Sequence, residues 1–87
     1  MTQWVDKWTR SARKERDRIP VSCRGRVLEA IKLYCETGFG DVDTIKPFVG
    51  EYRLRVGVYR IRFSLDSARG EFIILHVATR GGAYQDR

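Results

Sequence analysis

Between Tyr52 and Phe63, apolar and basic residues alternate on both sides of Gly57, and the phase of the alternation inverts at that glycine. A period of two marks a strand with unlike faces, and a phase inversion across two residues is what a hairpin loop at Gly57-Val58 produces. The spacing predicts Val56 opposite Tyr59, then the pairs Arg55–Arg60, Leu54–Ile61, Arg53–Arg62 and Tyr52–Phe63. One face of the hairpin then holds Tyr52, Leu54, Val56, Tyr59, Ile61 and Phe63. The other holds four arginines with no acid among them. Like charges directly opposite each other cost roughly 0.2–1 kcal/mol per pair, so the pattern points to a polyanion on that face, and to RNA phosphate in particular.

Upstream, Trp4 to Trp8 reads as a short first strand, because Thr9 and Ser11 then supply N-cap chemistry for a helix over about Arg10 to Arg18. Arg10, Arg13, Lys14 and Asp17 fall at helical spacing and form a mostly basic stripe, leaving Ala12 and Ile19 to face inward. Pro20 suits the first turn of a second helix running to about Cys35. Its positions Val27, Leu28, Ile31, Tyr34 and Cys35 predict one side packed on a sheet. Gly38 and Gly40 end it, and Asp41 to Gly50 reads as a connector anchored by Ile45 and Phe48. After the hairpin, Asp66 to Gly70 makes a turn, and the near-continuous apolar run Glu71 to Thr79 predicts a strand in the middle of a sheet. The order is β-α-α-β-β-β in a single domain over residues 1–87. This is an α+β architecture, with two N-terminal helices on one face of a small, mainly antiparallel sheet. The apolar hairpin face must meet the second helix, which leaves the arginine face open.

Charge sharpens the picture. Seventeen Lys and Arg against eleven Asp and Glu give a net charge of +6, a sign of a polyanionic partner rather than of a fold. Residues 1–32 carry nine bases and four acids, residues 33–52 one base and four acids, and residues 53–87 seven bases and three acids. Two basic regions therefore flank an acidic connector. No run approaches the ~18 consecutive apolar residues of a membrane span, and the first residues lack the apolar core of a signal peptide, so a cytoplasmic protein is expected. Cys23 and Cys35 fall on one helix about 18 Å apart, too far for a bridge, and read as reduced thiols. No His and Cys cluster has metal-ligand spacing, and no metal or other cofactor is expected.

The run Tyr52-Arg-Leu-Arg-Val-Gly-Val-Tyr-Arg-Ile61, followed about twenty residues on by an apolar strand ending at Arg80 and then by Tyr84, resembles the RelE/ParE toxins of bacterial toxin–antitoxin pairs. The element order agrees along nearly the whole chain. In the RelE branch the resemblance implies cleavage of messenger RNA on the ribosome by attack of a ribose 2′-hydroxyl on the adjacent phosphate. Carried over by position, Arg53, Arg55, Arg60 and Arg80 would hold the phosphate and Tyr84 would orient the nucleotide. Guanidinium forks suit that task because they bind phosphate in a bidentate way and offset charge on a phosphorane. A tyrosine suits it by stacking on an exposed base or holding the 2′-hydroxyl in line. Arg62, the helix-one residues Arg10, Arg13 and Lys14, and Arg24 and Arg26 are the expected further contacts to RNA. The resemblance also implies a cognate antitoxin protein that covers the basic groove.

The chain departs from the family in three places. RelE is similar but has lysines where Arg53 and Arg55 stand here, and an arginine essentially cannot give up its proton. The general base must then be another group, such as Tyr84, Glu51, His76 or one on the ribosome, unless the rate rests on positioning and electrostatics. Only three residues follow Tyr84, which leaves no room for the C-terminal helix of several relatives, and Val58 fills a turn position that is usually polar. His76, the single histidine, shares strand parity with Arg80 and reads as a packed or hydrogen-bonded sheet residue. Trp4 and Trp8 read as core or partner-interface residues. Two alternatives stay open: a ParE-like inhibitor of DNA gyrase, and a non-catalytic RNA-binding module.

Overall fold

The structure, a computed structural model, describes residues 3–79. Its order is β1 (Val5–Trp8), α1 (Arg10–Asp17), α2 (Val21–Thr37), β2 (Val42–Thr44), β3 (Glu51–Val56), β4 (Tyr59–Asp66) and β5 (Glu71–Thr79). The five strands form one sheet in the order β1-β5-β4-β3-β2. Only the β1–β5 pair is parallel. Two helices packed against this mixed sheet make the α+β architecture expected from the sequence, with one strand more than was read.

The hairpin takes the register that the alternation dictates. All five expected pairs are present, and a sixth, Glu51–Ser64, extends the ladder. Gly57 has a φ of +58°, a backbone region that costs a side chain dearly, so the loop falls at the glycine. The added strand, β2, lies in the stretch read as a connector and pairs antiparallel with β3, Asp43 opposite Arg53. Three residues are too few to show a period, so β2 exists through its pairing with β3 rather than through a pattern of its own.

The core lies between the helices and the hairpin's apolar face. Leu54, Ile61 and Phe63 from the hairpin, Phe72 and Ile74 from β5, and Val27 from α2 are almost wholly buried. The Phe63 and Phe72 rings stack with centroids 4.1 Å apart, and Tyr34 of α2 tilts against both at 5.6 and 5.5 Å. Such ring pairs add about 0.5–1.5 kcal/mol beyond the area they bury. Val27, Ile31 and Cys35 are the buried row of α2, while Leu28, expected in the core, is 39% exposed. The stripe that meets the sheet runs through Val27, Ile31, Tyr34 and Cys35, and Leu28 lies about 100° round from Val27. Burial pushes the Cys35 thiol up to about 11, with the nearby Asp6 and Glu36 charges adding to it, so it is protonated at neutral pH. Both cysteines are free thiols on α2.

Helix ends differ slightly from the reading. Pro20 is the N-cap of α2 rather than part of its first turn, and the helix runs on to Thr37 before Gly38 closes it with a φ of +81°. Thr9 caps α1 as expected, its Oγ1 accepting from the Ala12 N–H at 3.1 Å. No described helix is long and apolar enough to cross a membrane.

Candidate nucleic-acid interface

The face of the sheet away from the core is where the arginines stand, and sheet register sets them in rows. One row crosses four strands: Asp43 of β2, Arg53 of β3, Arg62 of β4 and His76 of β5, each directly opposite the next. The neighbouring row pairs Arg55 with Arg60 and Arg60 with Ala78. Directly opposite strand residues have Cβ atoms about 5 Å apart, so the groups of a row are within one side chain of each other.

This face is not free of acid, which corrects the sequence reading. Arg55 donates to Asp43 Oδ2 at 2.7 Å and to Asp41 Oδ1 at 3.2 Å, and Arg53 donates to Asp43 Oδ2 at 3.3 Å. Arg62 donates from Nε to Glu51 Oε1 at 2.7 Å, and its Nη2 lies 2.6 Å from the same oxygen. The acids come from places the alternating pattern does not reach. Asp41 precedes β2 and Asp43 lies within it, and Glu51 begins β3 one residue before the alternating stretch, with the same parity as Arg53 and Arg55. Arg60 turns back on the loop and donates to the carbonyls of Gly57 and Tyr59 at 2.8 and 2.9 Å. The like-charge cost of opposed arginines is thus offset within the fold, by carboxylates where a phosphate would otherwise be needed. At Asp43 partial burial raises the carboxyl, but the hydrogen bonds and charges of Arg53 and Arg55 outweigh it and hold the group below the usual carboxylate range.

The outer end of the row is built by α1. β5 is nine residues long and β1 only four, pairing with Glu71–Ile74, so the second half of β5 has β4 on one side and no strand on the other. The chain leaves β1 and follows that edge as a helix. The Thr9 N–H donates to the Ile74 carbonyl at 3.1 Å, the Thr9 hydroxyl to Leu75 O at 3.3 Å, and the Val77 N–H to Glu15 Oε1 at 2.7 Å. Each satisfies a backbone group that would otherwise be orphaned beside the core. The other oxygen of the same carboxylate, Glu15 Oε2, lies 3.4 Å from His76 Nδ1. A register shift between Arg62 and Phe63 sets Arg62 opposite His76 but Phe63 opposite Ile74, so β5 bulges by one residue and the imidazole stands on the arginine face. An open groove of about 340 Å³ lies there, lined by Thr9, Ser11, Glu51, Arg62, Leu75 and His76.

The remaining expected contacts divide. Arg10, Arg13 and Lys14 are exposed on α1 and available to a partner. Arg24 has structural work, donating through Nη2 to the carbonyls of Asp17 and Ile19 at 3.1 and 2.9 Å, which closes the α1–α2 junction. Arg26 lines a small apolar cleft with Cys23, Val27 and the hairpin loop residues Val56 to Tyr59. Phe48, expected as a buried anchor, is 47% exposed and packs its ring 4.3 Å from the Arg62 guanidinium, while Ile45 is half-buried. Arg80 and Tyr84 lie outside the described residues. Among the described residues no group of His, Cys, Asp and Glu has the arrangement of a metal site. Sequence reasoning missed Glu15, Asp41 and Asp43; the acidic excess of residues 33–52 beside an all-arginine hairpin was the signal for the last two.

No protein-family model matches the sequence, and no curated protein matches it either. Solved structures do match. The RelBE2 toxin–antitoxin complex of Mycobacterium tuberculosis contains a chain that superposes with a TM-score of 0.78 at 21% identity, covering 91% of this chain and 100% of that one. A chain of the RelE–RelB complex of Pyrococcus horikoshii OT3 gives 0.73 at 24% identity over 93% and 98%. The isolated RelE toxin of E. coli gives 0.78 at 11% identity over 93% and 88%. TM-scores of 0.73–0.78 and near-complete mutual coverage show that the fold of this chain is that of the RelE toxins.

Proposed function

We propose that this chain is the toxin of a type II toxin–antitoxin pair, a ribosome-dependent endoribonuclease that halts translation by cutting messenger RNA. The observation that carries the reading is the arginine face. Arg53, Arg55, Arg60 and Arg62 stand on the open side of a RelE fold, two of them in a row that ends at a histidine. Basic side chains on a sheet bind a ribose–phosphate backbone through charge-assisted hydrogen bonds, and the same forks stabilise the negative charge added when a 2′-oxygen attacks phosphorus. Arg80 and Tyr84 enter through the family resemblance, Arg80 as a further phosphate ligand and Tyr84 as the group that orients the nucleotide. The Asp43 and Glu51 carboxylates occupy arginines that a phosphate would claim, so binding is an exchange of one anion for another. The likeness to chains from RelE–RelB complexes supports a cognate antitoxin as the protein partner, and the work on messenger RNA implies a cytoplasmic protein.

The test is to incubate the purified protein with a messenger RNA, alone and on programmed ribosomes, to map the new ends and to assay for a 2′,3′-cyclic phosphate. Cuts that require the ribosome and are abolished by Arg80→Ala, in a variant that still folds, are expected. Intact RNA under both conditions, from a protein that still arrests growth, would overturn the ribonuclease and move the target to another process such as DNA replication.

A further inference from the structure

We infer that His76 is the general base of this site, held in its working tautomer by Glu15; the inference rests on the ribonuclease reading above. Arg53 and Arg55 cannot serve as bases, because a guanidinium does not give up its proton near neutral pH. Asp43 and Glu51 are engaged by arginines, Asp43 by Arg53 and Arg55 and Glu51 by Arg62. His76 is placed differently. It stands next to Arg62 in the row, its side chain is 45% exposed, and it opens on the groove lined by Arg62 and Glu51.

The charged groups around it are Glu15 from α1, Arg62 from β4 and Glu51 from β3. Glu15 acts on one nitrogen only. Its carboxylate is anchored by the Val77 N–H at 2.7 Å and presents its second oxygen to Nδ1 at 3.4 Å. An anionic carboxylate only accepts, so this contact selects the Nδ1–H tautomer and leaves the lone pair on Nε2. The logic is that of carboxylate–imidazole pairs in hydrolases, where the acid fixes the ring and stabilises the imidazolium that forms. A separation of 3.4 Å is long for a resting pair and shortens when the ring gains charge. The bulge beside Leu75 brings the pair onto the arginine face, and bulges of this kind commonly re-aim a side chain next to an active site.

With an RNA phosphate on Arg62 and its neighbours, Nε2 takes the proton of the 2′-hydroxyl as the 2′-oxygen bonds to phosphorus. The P–O5′ bond breaks, and the 5′-oxygen leaves and takes a proton from water. The imidazolium then returns its proton to the hydroxide left behind. The products are a 2′,3′-cyclic phosphate and a 5′-hydroxyl, with no net change in protons. His76 is the catalytic residue in this step and Glu15 a positioning residue.

Because the chain has a single histidine, its imidazole can be followed alone. Single-turnover cleavage on programmed ribosomes, measured across pH, should rise on the acid side as an imidazole deprotonates. An ¹⁵N NMR titration of the wild-type protein should find the Nδ1–H tautomer and a midpoint that coincides with that limb. His76→Gln should lower the rate about 10²–10³-fold, remove the acid limb and leave ribosome binding unchanged. Glu15→Gln should lower the rate about tenfold and reduce the tautomer's population. Cleavage within about threefold of wild type in folded His76→Gln, or a limb that does not follow the imidazole, overturns the base while leaving the ribonuclease standing. Rescue of His76→Gln by a substrate with a 5′-sulfur leaving group overturns it too, since His76 would then be the acid at the leaving atom. Absence of cleavage by the wild-type protein at every pH overturns the ribonuclease and the base together.

Discussion

Asp43 is the residue on which two properties of the protein meet. Its carboxylate joins Arg53 and Arg55, so it supports the fold and also competes with any phosphate for the same guanidinium groups. Replacing it with asparagine separates the two. RNA affinity of Asp43→Asn at low salt, followed by fluorescence anisotropy, should rise about 3- to 10-fold, because an internal anion no longer shares the site. Stability should move the other way, with a sign set by the lowered pKa of this group, which Arg53 and Arg55 hold ionised. A carboxyl whose folded value lies below its unfolded value of about 3.9 contributes stability above that pH and loses it as the pH falls through the folded value. Thermal unfolding of wild type and Asp43→Asn should therefore differ at neutral pH and converge below about pH 4. A gap that persists under acid would mean that the pair with Arg53 and Arg55 is not what Asp43 contributes.

At the scale of elements, the hairpin is the part most completely written in the chain. Alternation with period two admits one phase per strand, and the inversion at Gly57 admits one loop, so faces and register follow together. The φ of +58° at that glycine gives the loop a measurable dependence on it. A Cβ there would meet only the far end of Arg26 at 3.8 Å, so space is not the obstacle and the cost of Gly57→Ala is conformational. It should amount to about 1 kcal/mol, a fall in Tm of roughly 4–8 °C for a domain of this size, read by calorimetry. Other elements were less legible for physical reasons. β2 has only Val42, Asp43 and Thr44 and depends on β3 for its pairing. Glu51 stands in the sequence as a candidate base, but its pairing with Arg62 does not show there, because the alternation starts at Tyr52. The β5 bulge leaves no trace in a nearly unbroken apolar run, where neither face can be told from the other. Glu15 carries no signal of its role in the sequence, since nothing local says that a strand edge lies beneath it.

Across the whole molecule, the +6 net charge overstates what the arginine face offers to RNA. Asp41, Asp43 and Glu51 lie among its basic groups, and α1 presents a second basic surface through Arg10, Arg13 and Lys14. Four phosphates met by the four hairpin arginines would give a slope of roughly −3 in a plot of log affinity against log salt for single-stranded RNA. The double variant Arg53→Ala, Arg55→Ala should make that slope shallower by roughly 1.5. A slope untouched by the pair, and reduced instead by changes at Arg10, Arg13 and Lys14, would move the RNA from the sheet to the helix.

The row from Asp43 to Glu15 passes through five separate elements, and in four of them it is aligned by strand pairing alone. Such an arrangement tolerates changes of composition better than changes of length. Substituting one member alters a single group, whereas inserting or deleting one residue within β3, β4 or β5 sends every later side chain of that strand to the opposite face, burying arginines and exposing phenylalanines. Length variation compatible with the row is therefore confined to places that can absorb it without touching register, the Asp66–Gly70 turn and the segment between Thr44 and Glu51. Homologous sequences that keep this chemistry should gain and lose residues there and keep the spacing from Glu51 to Arg62 fixed.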